Sequence, residues 1–530
     1  MFAKSYRSSL ETLVQGADLR IKLVVQGVLI GLLSGLVVVL YRFLLGVTRG
    51  WGQSFYQAIS GRPLMIFGGL FFLVFIGLGI GLIIKKEPLI SGSGIPQIEG
   101  MFHGKMDMNC WHVILGKLFG GVITLGAGLS LGRENHQIGA SVALWVSRVL
   151  NRLKTEEKYL ITAGASAGLA AAFNTPVAGV IFALEQVHRH FSPLVLLSAS
   201  TAAITADIIS KGFFGEASFF ALPPIASLPL KHSLLLVGLG ITLGVLGVLF
   251  NHLLAYSSTF YQRRKWLPDY IRPVLPFIAA GLFALFFPYV VGDHRLVVSA
   301  IIDTRMMLAL VFAILAVKFL FTIFCYGSGV PGGIIVPLLA LGALAGNVYG
   351  QGVTQALNLN PELVNSITVV GMVGMFAAVI RAPITGTVLV AEMTGSVAHF
   401  PALALVAITA YVTAELFKLK LDYESWLARL FAVSEFEAGN STSANNKVLL
   451  EIAVSLGSVF DGKAIKDCEM PTQCLLVNIL RGGEELIPRG DTIVRSGDIL
   501  TVLTPERHAN YVKEQLNQKG QFSAQSGTVR

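Results

Sequence analysis

The chain alternates long apolar runs with short polar breaks, which is the pattern of a protein that crosses a lipid bilayer several times. Apolar windows recur at residues 24–45, 64–84, 234–254, 274–291 and 307–324, and a membrane-spanning helix needs about 20 such residues. Other apolar segments are short and are interrupted by glycine or proline. The sequence therefore predicts an all-α membrane domain with several spans, some of which are broken helices.

The pattern changes to polar sequence with short alternating runs from residue 434 onward. A linker is predicted at 434–446, strands at 475–481 and 498–503, a hairpin turn at Gly482-Gly483, and a short helix at 506–515 after Pro505. Residues 519–530 are predicted to be disordered. The predicted organisation is a membrane domain at 1–433, the linker, and a small cytosolic α/β domain at 447–518.

Composition supports a membrane protein and argues against other classes. The 530 residues are 54% hydrophobic and 13% charged, with a mean hydropathy of +0.68, whereas soluble proteins carry about a quarter charged residues. The net charge of +9 is scattered over the ends of spans, which indicates an inner-leaflet charge bias and no nucleic-acid partner. The four cysteines are widely spaced, so neither a metal site nor a disulfide framework is predicted.

Basic residues precede the first span, among them Lys4, Arg7, Arg20 and Lys22. By the positive-inside bias, the amino terminus is predicted to be cytoplasmic, as is the carboxy-terminal domain. No small-residue cleavage site follows a short apolar core, so no removable signal peptide is predicted.

Two sequence segments recur in the second half of the chain. GSGIP at 92–96 returns as GSGVP at 327–331, and PVAG at 176–179 returns as PITG at 383–386. Glu185 and Glu392 each lie nine residues after the proline of the second motif. Weak internal symmetry of this kind predicts two related halves, with the transport site where their broken helices meet. Because GSGxP is a turn that any loop can use, the equivalence of the first pair stays open.

Broken helices have a chemical consequence. A helix that begins inside the membrane presents unpaired N–H groups and the positive end of its dipole, and it therefore favours an anion. The glycine-rich segments 92–96 and 327–337 are the predicted positions of such helix starts. Ser93 either coordinates a halide there through its hydroxyl or caps a helix without a ligand.

One stretch with charged side chains, LGRENHQIG at 131–139, lies between two apolar, glycine-rich runs. This position places Glu134 within the membrane domain, where ionisable groups mark ion or proton paths. Alternatively, Arg133 and Glu134 lie in a polar loop that faces water. His136 either titrates near neutral pH beside this carboxylate or is a loop histidine without a role.

Taken in order, these motifs resemble those of the CLC family of chloride channels and chloride/proton exchangers over residues 24–430. GSGIP at 92–96 matches the family's GSGIP, Gly132-Arg133-Glu134 begin its GREGP motif, and GGIIVP at 332–337 matches a GGIFAP-like segment. Tyr423 follows the last apolar segment in the family's position. The resemblance implies a homodimer of protomers that are each built from two inverted-repeat halves and carry their own anion path.

The resemblance also implies residue roles. Ser93 and Tyr423 would coordinate a central chloride through their hydroxyls, and Ile334 and Ile335 through their backbone amides. Glu134 would be the external gate, whose protonation releases it from the anion path and links chloride to proton movement. Tyr423 has an alternative role as an interfacial aromatic residue at the end of a span.

The sequence departs from the family at the gate. The family's motif continues as GREGPxxQ, whereas here Gln137 follows Glu134 by three residues and Asn135-His136 replace the Gly-Pro pair. Proline presets a helix start, so its loss leaves open the position of the neighbouring amides and whether Glu134 reaches the anion path.

A second departure concerns the inner proton relay. Exchangers of the family commonly carry a glutamate pair where this chain has Glu185-Gln186, and glutamine has no proton to pass. The sequence therefore predicts a weakly coupled chloride/proton exchanger or, alternatively, a passive pH-gated chloride channel. Glu185, His188 and His190 are the candidate substitute donors, although the histidines also suit a cytoplasmic helix end beside lipid head groups.

The tail resembles the TrkA carboxy-terminal domain, a regulatory module of bacterial ion transport proteins, at residues 457–463, 481–491 and 496–498. The resemblance implies a bacterial plasma-membrane protein whose tail pairs with its twin and binds a small effector. Alternatively, the tail stabilises the dimer without a ligand. A tail-regulated cation transporter is a remote alternative, because the sequence has no carbonyl-rich filter or buried acidic ring. No enzyme and no cofactor are predicted, because no nucleophile elbow, metal cluster or catalytic carboxylate pair is present.

Overall fold

The structure is a computed structural model that describes residues 2–102, 108–152, 154–189, 191–220, 222, 232–263, 268–304, 306–396, 398–417, 447–455, 457–481, 484–505, 511–512 and 514–516. The chain divides into two compact units, Met1–Arg429 and Leu430–Arg530.

The first unit is helical. Prolines occupy the first turns of α2, α7, α8 and α15, where their fixed φ and missing N–H suit a helix start. The helices of the described residues are α1 (Phe2–Ile59), α2 (Pro63–Lys86), α3 (Ile95–Phe102), α4 (Cys110–Gly126), α5 (His136–Val149), α6 (Lys154–Phe173), α7 (Pro176–Phe182), α8 (Pro193–Phe214), α9 (Ser233–Arg263), α10 (Val274–Phe286), α11 (His294–Asp303), α12 (Leu308–Gly327), α13 (Ile335–Ala356), α14 (Leu363–Ile380), α15 (Pro383–Thr394) and α16 (Phe400–Leu416).

Seven helices in the described part of the chain are long and apolar enough to cross a membrane. They are α1 from Arg20 onward, α2, α8, α9, α12, α13 and α14. Large apolar side chains on α2, including Leu64, Phe67 and Phe71, are exposed, as expected of a surface that faces lipid. The predicted multi-span, mostly helical membrane architecture is confirmed.

The predicted span at residues 274–291 is wrong in its length. Helix α10 covers only 13 residues and ends at Phe286, and a short 3₁₀ turn, Pro288–Val290, follows it. The residue before a proline is sterically excluded from the α region, and Phe287 accordingly has φ −140° and ψ 65°. Hydrophobicity alone extends the span past this break.

The interior of the membrane unit is a continuous apolar core to which most helices contribute. At the crossing of α13 and α14, a Cβ on Gly342 would lie 2.5 Å from the carbonyl oxygen of Gly371. Glycine is therefore needed for the two backbones to approach this closely.

The second unit contains a four-stranded antiparallel sheet in the order β1-β4-β2-β3. Its strands are β1 (Lys447–Ala453), β2 (Leu475–Arg481), β3 (Glu484–Leu486) and β4 (Ile499–Pro505). One face packs on a small core that includes Phe460, Ile479 and Leu500. The predicted strands at 475–481 and 498–503 correspond to β2 and β4, and the predicted class, a helical membrane protein with a small α/β domain, is confirmed.

Several other predictions for the tail concern residues that the structure does not describe. Arg481 pairs with Glu484 across β2 and β3, but Gly482 and Gly483 themselves lie outside the described residues, as do the linker 434–446 and the tail 519–530. Of the helix predicted at 506–515, residues 511–512 and 514 are described and helical.

Candidate functional site

Two pairs of glycine-rich loops meet at the centre of the membrane unit. The repeated GSGxP segments lie side by side, with a parallel bridge between Gly92 and Pro331. The Gly92 N–H donates to the Val330 carbonyl at 3.3 Å, and the Ser91 hydroxyl donates to the Gly329 carbonyl at 2.7 Å. The two loops that repeat in sequence are therefore direct neighbours in space.

The gate motif pairs with the second glycine-rich segment in the same way. Gly132 and Gly333 form an antiparallel bridge, in which each N–H donates to the other's carbonyl at 2.7 and 2.8 Å. This bridge places the residue after next, Glu134, at the start of α13. Helix α5 begins just beyond it, so the amino-terminal ends of two helices lie close to one carboxylate.

Glu134 bonds to the start of α13. Its Oε1 accepts the Val336 N–H at 2.9 Å, and the Ile335 N–H faces the same carboxylate. The side chain is buried, with 7% of its surface exposed, which is incompatible with a water-facing surface loop for Glu134. The carboxylate occupies the position at a helix N-terminus where an anion is favoured.

The space for this carboxylate exists because Gly333 lacks a side chain. A Cβ on Gly333 would lie 0.8 Å from Glu134 Oε2, and one on Gly132 would lie 2.1 Å from Oε1. Any larger residue at position 333 would therefore displace the carboxylate from its place on α13. The glycines of the GRE and GGIIVP segments make room for the gate side chain.

The shortened loop after Glu134 still starts a helix. Asn135 is the N-cap of α5, without a side-chain capping bond, and His136 is its first residue. Both are buried, with 2% and 0% of their surfaces exposed. His136 is thus a helical residue at the site and not a loop histidine.

Ser93 lies at the start of α3. It is 3% exposed, and its hydroxyl oxygen accepts the Ile95 N–H at 3.4 Å. This distance is long for an N–H to oxygen hydrogen bond, so Ser93 caps α3 only weakly. The Ser93 side chain also forms a hydrogen bond with the Tyr326 hydroxyl, so two groups of the protein share this hydroxyl.

Two residues of this site were not predicted from the sequence. The Tyr326 hydroxyl accepts the Ser93 N–H at 3.2 Å, and the buried Lys117 ammonium donates to the Gly92 carbonyl. Lys117 sits inside an apolar run of α4, and that isolation is the signal that sequence reasoning passed over. Both residues bond to the loop that carries Ser93 and hold it in place.

The other predicted anion ligands divide into two groups. Ile334 is the N-cap of α13 and Ile335 its first residue, so both backbone N–H groups belong to the helix start that Glu134 occupies. Tyr423 lies outside the described residues. The structure thus brings Ser93, Glu134, Ile334 and Ile335 into one region.

Glu185 and Gln186 lie on a π-helical turn, Ala183–His188, that continues α7. Glu185 Oε2 accepts the Thr385 N–H at 2.7 Å and its hydroxyl at 2.6 Å, and Oε1 accepts the Ile384 N–H at 3.3 Å. The Gln186 amide donates to the Arg381 carbonyl at 3.5 Å. Glu185 is therefore engaged as a cap on α15.

The remaining candidate proton donors are near the same turn. His188 stacks on Tyr159 with ring centroids 6.0 Å apart, and His190 lies outside the described residues. A further buried carboxylate, Glu99 on α3, forms an ion pair with Arg189 at 2.9 Å. Glu99 was not singled out from the sequence because a glutamate one turn into an apolar helix has no motif of its own.

Comparison with known families identifies two matches. Residues 73–415 match the family model described as voltage gated chloride channel, and residues 449–517 match the TrkA-C domain. The first match covers more than half of the chain and includes Ser93, Glu134, Ile334 and Ile335.

Curated relatives and solved structures agree with this assignment. The chain is 32% identical to the H(+)/Cl(-) exchange transporter ClcA of Cronobacter sakazakii over 381 residues, which cover 69% of this chain and 80% of that protein. It is also 32% identical to the ClcA of Vibrio cholerae over 422 residues, covering 76% of this chain and 88% of the relative.

Among solved structures, the fold is similar to that of a slow cyanobacterial Cl-/H+ antiporter, with a TM-score of 0.73 and 27% identity over 78% of this chain and 99% of that one. A CLC-type fluoride/proton antiporter shares the fold, with a TM-score of 0.62 and 23% identity over 74% of this chain and 95% of that one. The chain is therefore a multi-pass membrane transport protein, not an enzyme, and it belongs to the CLC family of chloride channels and transporters, with a TrkA-C domain at its carboxy-terminal end.

Proposed function

We propose that this protein exchanges chloride for protons across a bacterial membrane, with weak coupling between the two ions. The observation that carries the proposal is the bond between the Glu134 carboxylate and the Val336 N–H at the start of α13. ClcA relatives, which are named as H(+)/Cl(-) exchange transporters, support chloride and protons as the transported ions.

The bond suggests how Glu134 gates the path. An ionised carboxylate and a chloride ion compete for the same helix N-terminus, because both are anions attracted by unpaired N–H groups and the helix dipole. Protonation removes the charge of the carboxylate and its attraction for the helix end, so chloride takes its place. Ser93, Ile334, Ile335 and Tyr423 would then coordinate the ion.

Weak coupling is expected because this chain lacks the usual inner proton acceptor. Gln186 cannot carry a proton, and Glu185 is bonded to two N–H groups and a hydroxyl of α15. These bonds hold the Glu185 carboxylate at the start of α15. Exchange would therefore need a slower route, for which the buried Glu99–Arg189 pair is a candidate.

A passive pH-gated chloride channel is the second candidate function. It is favoured by the same Gln186, since a path without an inner proton acceptor conducts chloride without moving protons. Glu134 would then act only as a pH-sensitive gate. A cation transporter is disfavoured by the two helix N-termini at the site, whose positive partial charges would repel a cation.

The quaternary arrangement is also part of the proposal. We propose a homodimer with one anion path in each protomer, with both termini in the cytoplasm. The TrkA-C domain would regulate transport, either by binding a small effector or by stabilising the dimer. The domain boundaries at 433, 446 and 518 follow the change from apolar to polar sequence.

The test is proton movement in sealed proteoliposomes that contain the purified protein, driven by a chloride gradient with the membrane potential set by a potassium ionophore. Uphill proton movement with few protons moved per chloride ion would support weak exchange. Chloride flux without proton movement would establish the channel alternative. Glu134→Gln should abolish the pH dependence of chloride flux in either case, and an unchanged pH profile would exclude Glu134 as the gate.

A further inference from the structure

Gly92 and Gly292 occupy equivalent places in the two halves of the chain. Each follows a short 3₁₀ turn that begins with proline, Pro88–Ile90 or Pro288–Val290, and each has a positive φ, of 63° and 78°. A short helix, α3 or α11, begins shortly after each. The N–H of each glycine donates to a carbonyl in the opposite half, at 3.3 Å for Gly92 and 3.2 Å for Gly292. The second half therefore has its own counterpart of the loop that carries Ser93.

Two buried lysines share the same symmetry. Lys117 on α4 and Lys318 on α12 each lie fifteen residues before a glycine of the central bridge, Gly132 or Gly333. Each ammonium donates to a backbone carbonyl beside the loop of its own half, and for Lys318 this is the Val290 carbonyl, at 2.9 Å. The two loops are thus held in the same way by the helix that follows them.

The side chains of the second loop differ from those of the first. Asp293 stands where the first half has Ser93, and His294 follows it. The Asp293 carboxylate caps α11 by accepting the Arg295 N–H at 3.1 Å, and it forms an ion pair with Arg49 at 3.0 Å. A carboxylate in the place of the serine hydroxyl disfavours a second chloride site, because like charges repel. The loop instead supports a different part of the molecule, through His294.

His294 bonds to the segment that carries Glu134. Its side chain is 1% exposed, and Nε2 lies 3.0 Å from the Leu131 carbonyl oxygen. Because a carbonyl oxygen only accepts, Nε2 carries the proton and donates it. The N–H of the same peptide group, which belongs to Gly132, donates to the Gly333 carbonyl at 2.7 Å. One peptide plane just before the gate residue is therefore fixed at both of its polar ends.

The surroundings of His294 favour a neutral ring. Its Nδ1 is buried and has no partner among the residues that the structure describes. The charged groups that face the ring are Lys318 on α12, Asp293 at the start of α11 and Arg49 on α1, and the Asp293 carboxylate is already engaged by Arg49 and Arg295. A protonated ring would bury an unpaired N–H beside two cations, which is unfavourable. His294 is therefore a fixed donor and not a carrier of protons.

We infer that His294 is a positioning residue for the gate, which holds the Glu134 carboxylate on the Val336 N–H by fixing the Leu131–Gly132 peptide. Without this donor, the buried Leu131 carbonyl loses its side-chain partner and the peptide is held at one end only. Glu134 follows this peptide by two residues, so its ionised carboxylate would bond less well to α13. The inference rests on the proposed gating by Glu134 and adds to it a residue from the second half of the chain.

Two amide substitutions test this role, with chloride flux measured against pH in proteoliposomes of the full-length protein. In His294→Gln the amide nitrogen reaches the place of Nε2, so the midpoint of the pH dependence should stay within about 0.2 unit of the wild type. In His294→Asn the nitrogen reaches only the place of Nδ1. Its midpoint should rise by roughly 0.5–1 pH unit, because the less well bonded carboxylate is protonated more easily. His112→Asn, at an exposed histidine of α4, is the control and should keep the wild-type midpoint.

A second background separates an effect through the gate from a general one. Flux through Glu134→Gln should not depend on pH, so adding His294→Asn should leave that flat profile unchanged. If His294→Asn cannot be purified in folded form, His294→Phe, which keeps the ring volume, takes its place. A lower melting temperature with a wild-type midpoint would show a structural role alone and overturn the inference, as would equal midpoints for the Gln and Asn variants. Wild-type flux that does not depend on pH would overturn the proposed gate as well.

Discussion

Glu185 and Glu392 cap each other's helices across the internal repeat. Glu185, which follows α7, accepts N–H groups at the start of α15, and Glu392 in α15 accepts the Val177 and Ala178 N–H groups at the start of α7, at 3.1 and 2.7 Å. Each carboxylate thus neutralises the positive end of the helix that begins with the other repeat's proline. The recurrence of proline and glutamate nine residues apart has a direct structural explanation in this exchange.

Removing either capping charge should loosen the contact between α7 and α15. Glu392→Gln and Glu185→Gln should each lower the stability of the detergent-purified protein by about 1–3 kcal/mol, because a charge-assisted pair of bonds is replaced by a weaker neutral one. Thermal unfolding measures the effect, with the exposed Glu362→Gln as control. If Glu185 also carries protons, only its variant should reduce proton movement; equal melting temperatures for wild type and both variants would contradict the capping role.

Gly333→Ala should disable the gate without altering Glu134 itself. The added methyl group would overlap Glu134 Oε2, so the carboxylate must leave the Val336 N–H and the anion would face less competition there. Chloride flux should become less dependent on pH, as in Glu134→Gln. The matched control is Gly352→Ala on α13, the helix that follows Gly333, where no atom lies within 4 Å of an added Cβ. A normal pH profile in Gly333→Ala would show that the carboxylate has another resting position.

Tyr326→Phe should weaken chloride binding moderately. The substitution removes the hydroxyl that accepts the Ser93 N–H at 3.2 Å and leaves the ring in place, so the loop that carries Ser93 loses one anchor. A single neutral hydrogen bond contributes about 0.5–1.5 kcal/mol, which corresponds to a change of roughly two- to tenfold in the dissociation constant. Tyr349→Phe is the control. Tyr349 lies near the carboxy-terminal end of α13, and its hydroxyl donates to the Leu235 carbonyl of α9. Identical affinities for the two variants would contradict the prediction.

The TrkA-C domain should lose stability in acid through one buried ion pair. Asp498 is 1% exposed and accepts two bonds from Arg481 at 2.7 Å and the Arg495 N–H at 2.8 Å. Burial raises the pKa of the Asp498 carboxyl, but these hydrogen bonds outweigh burial and hold its pKa below the ordinary value. The pair therefore stabilises the domain above about pH 4, where the unfolded carboxyl is ionised, and the stabilisation is lost as the pH falls through the lower folded value.

Hydrogen exchange of the β4 amides in the full-length protein, corrected for the intrinsic pH dependence of exchange, measures this effect. Protection should fall below about pH 4 in the wild type. Asp498→Asn should reduce protection by roughly 2–3 kcal/mol at neutral pH, because Arg481 is left without its charged partner. Asp491→Asn, at an exposed position, should leave it unchanged, and a pH profile that is the same in Asp498→Asn and wild type would contradict the assignment.

Much of the architecture could be predicted from the sequence, because membrane spans are local. Four of the five predicted windows lie within α1, α2, α9 and α12, and β2 and β4 follow runs of alternating residues. The exception is the window at 274–291, because α10 ends at Phe286, before Pro288, and hydrophobicity does not reveal this break. Helices α8, α13 and α14 were not predicted as spans. Glycine and polar residues dilute the apolar sequence of α8 and α13, whose mean hydropathy is only 1.5 and 1.2.

The candidate site was only partly predictable. Ser93, Glu134, Ile334 and Ile335 were identified by motif, but Lys117 and Tyr326 reach Ser93 from positions remote in the chain. The burial of His136 was missed because its neighbours, including Phe182, come from another helix. Glu185 was considered as a proton donor, since its partners on α15 are some 200 residues away and unknown until the chain folds.

The sequence by itself determined the class of this protein: apolar length requires a bilayer, glycine and proline break the helices within it, and the repeated motifs define two related halves. Only the tertiary structure decided which helix ends face which side chains. The Glu134 carboxylate lies on α13, the two GSGxP loops pair with each other, and Glu185 is a cap, because these contacts join residues far apart in the chain. Local sequence encodes where a helix starts, whereas the partner that satisfies its unpaired N–H groups depends on the packing of the whole membrane unit.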